Sequence, residues 1–169
     1  MSKKSTHYID NEKFFEEMSI WKTKVIEAED MGEDRPPITE YIGKCFLDIA
    51  EHLAQKPNFT NYPYKDEMIS DAVENCLLYA HNFNPEKSKN PFSYFTQITY
   101  YAFLRRIEKE KKQQYIKFKM TEMQDDGTLS SWFKNNYFEK ENTSDAMKQH
   151  FNISDTDLER LTPKKKKKK

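Results

Sequence analysis

Residues 90–119 run NPFSYFTQITYYAFLRRIEKEKKQQYIKFK. Asn90 followed by Pro91 is a helix-start signal, because proline's missing N–H costs nothing in a first turn. From Pro91 to about Met120 there is no glycine or further proline, so the stretch predicts one long helix. Two sets of positions interleave on it. Phe92, Phe95, Ile98 or Thr99, Ala102, Phe103 and Ile107 keep the spacing of a buried face. Tyr94, Gln97, Tyr101 and Arg105 lie on the other side, and Arg106, Lys109, Lys112 and Lys119 extend a cationic surface. The first half can pack; the second half is mostly charged and faces solvent or a partner. Exposed tyrosines beside arginine and lysine suit a strand with unstacked bases, since rings stack on bases and cations neutralise phosphates. Gln97 can read a base edge. Periodicity alone leaves a second reading open, an amphipathic helix with ordinary surface Tyr and Lys.

Upstream, the same spacing predicts three more helices. Asp10 can cap one running to about Asp30, with the stripe Phe14, Met18, Trp21 and Val25. Gly32 and Arg35-Pro36-Pro37 end it. Thr39 can cap the next, whose stripe is Ile42, Cys45 or Phe46, Ile49 and Leu53. Two prolines make 56–63 a loop. A third helix is expected from about Tyr64 to Asn82, its apolar face made of Met68, Ile69, Ala72, Val73, Cys76, Leu77 and Ala80. Asn84-Pro85 stops it. Downstream, Asp125-Asp126-Gly127 predicts a turn. Trp132-Phe133, Tyr137-Phe138, a Ser144-capped segment to Phe151 and a short Ser154-capped helix with Leu158 and Leu161 follow.

Composition narrows the class. The chain has 169 residues, about one domain, and only two valines, which disfavours a sheet-based core. Leu, Ile, Val and Phe together make up only 33 residues, so the core is lean, yet twelve Phe and ten Tyr supply large burial per residue. The expectation is an all-α fold: a small helical bundle with a loosely structured C-terminal extension. No apolar run approaches the roughly 18 residues of a membrane span, and Met1 to Asp10 has no signal-peptide core. Two cysteines make no disulfide framework, so a reducing cytosol is the expected setting.

The formal net charge is zero, from 28 basic and 28 acidic residues, but it is unevenly spread. Residues 1–104 carry 11 basic and 17 acidic side chains, a net of −6. Residues 105–119 carry 7 and 2, a net of +5, and residues 120–163 carry 4 and 9, a net of −5. Six lysines, Lys164 to Lys169, close the chain. An acidic body with one basic segment and a basic tail points to partners of both signs.

Catalytic constellations are poor. The four histidines are scattered, and neither Cys45 with His52 nor Cys76 with His81 matches a zinc spacing. Both cysteines fall on apolar stripes, where a buried thiol is the expected state. Nothing pairs a nucleophile with a base. The expectation is a protein that is not an enzyme and that needs no cofactor or metal.

The run from Glu67 to Phe83 (EMISDAVENCLLYAHNF), a short polar loop, and Asn90 to Ile107 resemble the second conserved region of bacterial sigma factors. The likeness is closer to the late-transcription sigma factors of T-even-type bacteriophages. It covers about residues 10–120, and the Trp21-Lys22-Thr23 context and the helix around Ile49-Ala50-Glu51 belong to it. The resemblance implies that the helix carrying Glu67, Ser70, Asp71 and Glu74 docks on the clamp helices of the largest subunit of host core RNA polymerase. It implies that the next helix reads and melts an A·T-rich −10-like promoter element, where unstacking costs only a few kcal/mol. Phe92, Phe95, Ile98 and Thr99 align with the set that traps a flipped base, two of them departures from the tryptophans of primary sigma factors. Tyr94, Tyr100 or Tyr101 can take over ring work, and Arg105, Arg106, Lys109, Lys111 and Lys112 fall toward upstream duplex.

The chain pattern and the resemblance together lead us to expect a flexible arm over 1–9, a domain over 10–120 that resembles sigma region 2, a C-terminal extension with short helices over 121–163 and a basic tail over 164–169. Trp132, Phe133, Tyr137 and Phe138 are expected to dock elsewhere on polymerase, with the beta flap as the candidate surface and a phage co-activator as a candidate third partner. Asp157 to Leu161 is only a faint and non-terminal parallel to the sliding-clamp-binding segment of T-even late sigma factors, so clamp dependence is not carried over. The expected compartment is the host bacterial cytoplasm. The competing expectation is a phage adaptor or inhibitor that binds polymerase without reading promoter DNA.

Overall fold

The computed structural model describes residues 8–124 and 148–163, with side chains to residue 121 in the first stretch. Among these residues every regular element is helical: α1 (Asn11–Met31), α2 (Glu40–Ala54), α3 (Lys65–Tyr79) continued by a 3₁₀ turn (Ala80–Asn82), α4 (Pro91–Gln124) and α5 (Asp155–Leu161). The chain is all-α, as its sequence pattern predicts. It divides into two compact units, one ending at Arg106 and one beginning at Ile107, so the boundary falls inside α4.

The helix ends follow local chemistry. Asp10 accepts hydrogen bonds from the Glu12 and Lys13 amides and caps α1. Gly32 ends that helix at φ 72°, where it and Glu33 return their N–H groups to the Glu29 and Ala28 carbonyls. A side chain there would be strained, which is why glycine serves. Thr39 caps α2 through the Ile42 amide. Between them the Trp21 indole donates to the carbonyls of Pro36 and Pro37, at 3.2 and 3.1 Å, and holds the proline linker against α1.

The first unit is organised around Phe95. Its ring is fully buried and lies 4.4 Å from Phe46, 5.8 Å from Phe14 and 6.0 Å from Phe83. Met18, Trp21 and Val25 from α1 and Ile42, Cys45 and Ile49 from α2 complete this core. All the stripe positions expected on α1 and α2 are buried. Ile9, expected in the flexible arm, is also buried, and Tyr8 stacks on His52 at 3.7 Å, so the ordered fold begins before α1.

Two expectations need correction. On α3 only Met68, Ala72 and Cys76 are buried, followed by Ala80 in the 3₁₀ turn. These positions form a single line in steps of four. Leu77 stands about 100° off that line and is 46% exposed. The long helix also runs four residues beyond Met120, to Gln124.

The second unit pairs the later turns of α4 with residues 148–163. Phe118 and Ile153 are buried together, with Tyr115, Phe151 and Leu158 packed against them. Asn152 takes a left-handed φ of 51°, and the Asn152 and Ile153 amides bond back to Gln149 and Lys148, a helix-ending turn that asparagine tolerates. Ser154 then caps α5 through the Asp157 amide, as expected. The expected Asp125–Gly127 turn, the Ser144 cap, the aromatic cluster Trp132, Phe133, Tyr137 and Phe138, and the lysine tail lie outside the described residues.

Burial also governs the thiols. Burial pushes the Cys76 thiol up to about 11, the nearby Thr99 hydroxyl only partly opposing it, and raises Cys45 as well. Replacing Phe95 with alanine is expected to cost about 3–5 kcal/mol of unfolding free energy in urea titration, and a cost under about 1 kcal/mol would show that Phe95 is not the centre of this core.

Candidate functional site

The front of α4 is anchored at its first turn. Asn90 Oδ1 accepts from the Ser93 amide at 3.0 Å, and Asn11 Oδ1 from α1 accepts from the Phe92 amide at 3.3 Å. With that turn held and Phe95 inside, the period of the helix decides which side chains emerge. Ser93, Gln97, Tyr100, Tyr101 and Arg105 are exposed.

Beside them is a cleft of about 770 Å³ within the first unit. One wall is the end of α2 and the loop after it, with Leu53, Lys56, Asn58 and Phe59; the other is α4, with Phe92, Thr96, Gln97, Tyr100 and Tyr101. Phe59 is buried and meets Tyr100 and Phe103 edge-on, at 5.7 and 5.1 Å. The cleft therefore combines aromatic surface with amide and hydroxyl groups, a lining suited to a planar, hydrogen-bonding ligand such as a nucleobase.

The expected interface residues fall into three groups. Phe92, Gln97 and Tyr101 line the cleft together. Phe95 and Thr99 are fully buried, so neither reaches a base in this conformation; they support the helix from within. Tyr94 and Ile98 are half-buried and pack against the core, and the Tyr94 ring rests on Phe83 and Phe95 at 5.4 and 5.0 Å. Tyr94 was expected on the outer side of α4. It stands one residue from Phe95 and tips into the groove beside Phe83, and burial raises its hydroxyl pKa, with nearby Cys76 adding to the rise.

Most of the expected cations already have partners. Arg106 grips Asp71 with two hydrogen bonds, Nε to Oδ2 at 2.6 Å and Nη2 to Oδ1 at 2.7 Å. This bidentate fork joins a residue expected to meet DNA to one expected to meet polymerase. Arg105 Nη2 donates to Asn75 Oδ1 at 2.7 Å while its side chain stays exposed. Lys112 lies 3.7 Å from Glu108 and is 59% exposed, and Lys109 is exposed. Lys111 binds Asp157 at 2.8 and 3.1 Å. On α3, Glu67, Ser70 and Glu74 form one exposed line, from which Asp71 turns aside to Arg106.

Sequence reasoning missed the far wall of the cleft. Phe59 is the one phenylalanine in an otherwise polar, proline-flanked loop, and that isolation was the available signal. Among the described residues no group of three or more His, Cys, Asp or Glu is placed to hold a metal ion, and no helix is long and apolar enough to cross a membrane. No family model matches the chain, and no curated protein matches it.

Two outcomes follow from these pairings. A double-mutant cycle on Asp71 and Arg106, each replaced by alanine, is expected to give a coupling of about 1 kcal/mol or more in urea unfolding, as suits a part-buried bidentate pair. A coupling near zero would mean that the fork is not formed in solution. The second concerns acid. Burial alone would raise the Asp157 carboxyl, but hydrogen bonds from Lys111 and Ser154 and the Lys111 charge together hold it below the ordinary range. A depressed carboxylate contributes its stability above the unfolded pKa, about 3.9, and loses it as pH falls through the folded value. NMR shifts of residues 154–161 are therefore expected to hold steady down to about pH 4 and to move below it. Movement centred well above that pH would contradict the pairing.

Proposed function

We propose that this chain is a sigma-like promoter-specificity subunit of a T-even-type phage. On this reading it is a binding protein that works in the cytoplasm of a bacterial host. It brings host core RNA polymerase to late promoters and helps melt an A·T-rich −10-like element. One observation carries the reading: Gln97, Tyr100 and Tyr101 emerge from α4 onto a cleft that Phe92 also lines and that the buried Phe59 backs from the other side. Aromatic faces hold an unstacked base at about 1–3 kcal/mol each, and the amides of Gln97 and Asn58 offer donors and acceptors to its edge. Arg105, one turn beyond Tyr101, is exposed and held by a neutral partner, Asn75, which supports a phosphate contact there. The opposite requirement, a surface for polymerase, is served by Glu67, Ser70 and Glu74 on α3. Capturing a base on α4 pulls it from the duplex, and A·T-rich steps yield most cheaply.

The pairing of Arg106 with Asp71 and of Lys111 with Asp157 favours a second reading. A chain that neutralises its own cations could bind polymerase as an adaptor or inhibitor and leave promoter DNA alone. Transcription from a TATA-like late promoter with purified core polymerase and this protein separates the two. A start-site-specific transcript is expected; none, with any required co-activator present, would rule out the sigma reading. Tyr101→Ala and Arg105→Ala are expected to weaken promoter binding, the arginine variant also flattening the salt slope by about 0.9 for one lost phosphate contact. Glu67→Lys is expected to abolish binding to core polymerase while leaving the fold intact by circular dichroism.

A further inference from the structure

The second unit contains a contact that the promoter-reading proposal does not use. On α4, Glu108, Lys111, Tyr115 and Phe118 follow one another at helical spacing and so share a face. Residues 153–162 cover that face. Ile153 packs with Phe118, and Leu158 packs against the same small cluster. Asp157 takes Lys111 Nζ on both carboxylate oxygens, at 2.8 and 3.1 Å. Arg160 reaches back to Glu108 at 2.6 Å, and Tyr115 donates to the Thr162 hydroxyl at 3.4 Å. Asp157 is also aligned from its own side, since the Ser154 hydroxyl donates to Oδ2 at 2.7 Å.

The chemistry of this contact is that of a phosphate mimic. A carboxylate with two oxygens on a lysine ammonium and a phosphate oxygen bind that ammonium in the same way, as anions. The hold is light. The apolar part is small, Phe118 and Ile153 with Tyr115, Phe151 and Leu158 partly buried against them, and the buried Asp157 gains little net stability from its ion pair once the cost of desolvating it is counted. A seven-residue helix held this way can be displaced by a polyanion that offers the same lysine a denser array of charge.

We propose that residues 153–162 form an intramolecular mask on α4, in which Asp157 occupies Lys111 until a nucleic-acid backbone displaces it. The inference rests on the DNA-binding part of the function proposed above and adds its regulation. The mask sets a threshold: sites that offer only scattered phosphate contact must first displace the segment, whereas a bound promoter holds it off. Because one cation is released, the effect on affinity is modest and the effect on salt dependence is definite.

The test uses the full chain and an end-labelled DNA duplex of random sequence, followed by fluorescence anisotropy across a salt series. Asp157→Asn is expected to bind about threefold to tenfold more tightly near 0.1 M salt, with a salt slope steeper by about 0.9, one added phosphate contact. Glu159→Gln removes the same charge from the same helix at an exposed position and is expected to leave the slope unchanged. The double variant Lys111→Gln/Asp157→Asn is expected to lose the gain. Amide exchange on the unmodified chain gives a readout free of any folding defect: protection of residues 155–161 is expected to fall when duplex is added. Equal binding by Asp157→Asn and the parent, a gain that persists without Lys111, or unchanged protection overturns the mask. If the parent binds duplex and yields the promoter transcript, such a result leaves the promoter reading standing. If no variant binds duplex at any salt, the mask falls, and the promoter reading stands or falls on the transcript made with core polymerase.

Discussion

The enclosure of one aromatic ring orders the first unit. Phe95 meets rings from α1, α2 and the turn after α3, and it has no exposed surface. A ring fixed on three sides leaves its helix no rotational freedom, because turning α4 by one residue would withdraw Phe95 and insert a tyrosine or a threonine. The outward placement of Gln97, Tyr101 and Arg105 follows from that constraint, and so does the burial of Thr99 one turn on. The cleft exists because the loop after α2 reaches the same helix through Phe59, which lodges against Tyr100 and Phe103.

The helices and their buried lines were legible because they depend on local rules. Asp10, Thr39 and Ser154 are caps recognisable by type and position, and Phe14, Met18, Trp21 and Val25 announce their face by spacing alone. The candidate site was legible only in part. Gln97 and Tyr101 are exposed for the reason their spacing suggests. Tyr94 shares that spacing yet packs on Phe83, because the residue that receives it comes from another element and periodicity carries no such information. The same holds for Phe59, for Leu77, and for the partners of Arg106 and Lys111, which lie 35 and 46 residues away. Long-range pairing is decided by topology, and a charge pattern along one helix cannot reveal it.

These pairings alter the meaning of the charge distribution. The excess of cations over residues 105–119 invites a reading as an open positive strip. In the folded chain at least three of its seven cations face a carboxylate, Arg106 at Asp71, Lys111 at Asp157 and Lys112 at Glu108, while Arg105 keeps its charge beside the neutral Asn75 amide. Charge that is compensated at contact distance contributes little to the field at a Debye length, about 8–10 Å in ordinary salt, so long-range steering by this segment is weaker than its composition suggests. In the proposed function, contacts made locally by Tyr101 and its neighbours weigh more accordingly.

The bond from Asn11 to the Phe92 amide spans 81 residues, and Lys22 donates to the His81 carbonyl across 59. The first helix of the unit therefore meets its final neighbours only after nearly all of the unit has been made. At about 5–20 residues per second, ribosomes need roughly 4–16 s to synthesise the stretch between Phe14 and Phe95. During that interval the apolar stripe of α1 has α2 as a neighbour but lacks the ring that closes the core. The nascent chain thus passes through a period in which Trp21, Phe14 and Phe46 are incompletely covered, and the net charge of −6 over residues 1–104 opposes its association with others of its kind.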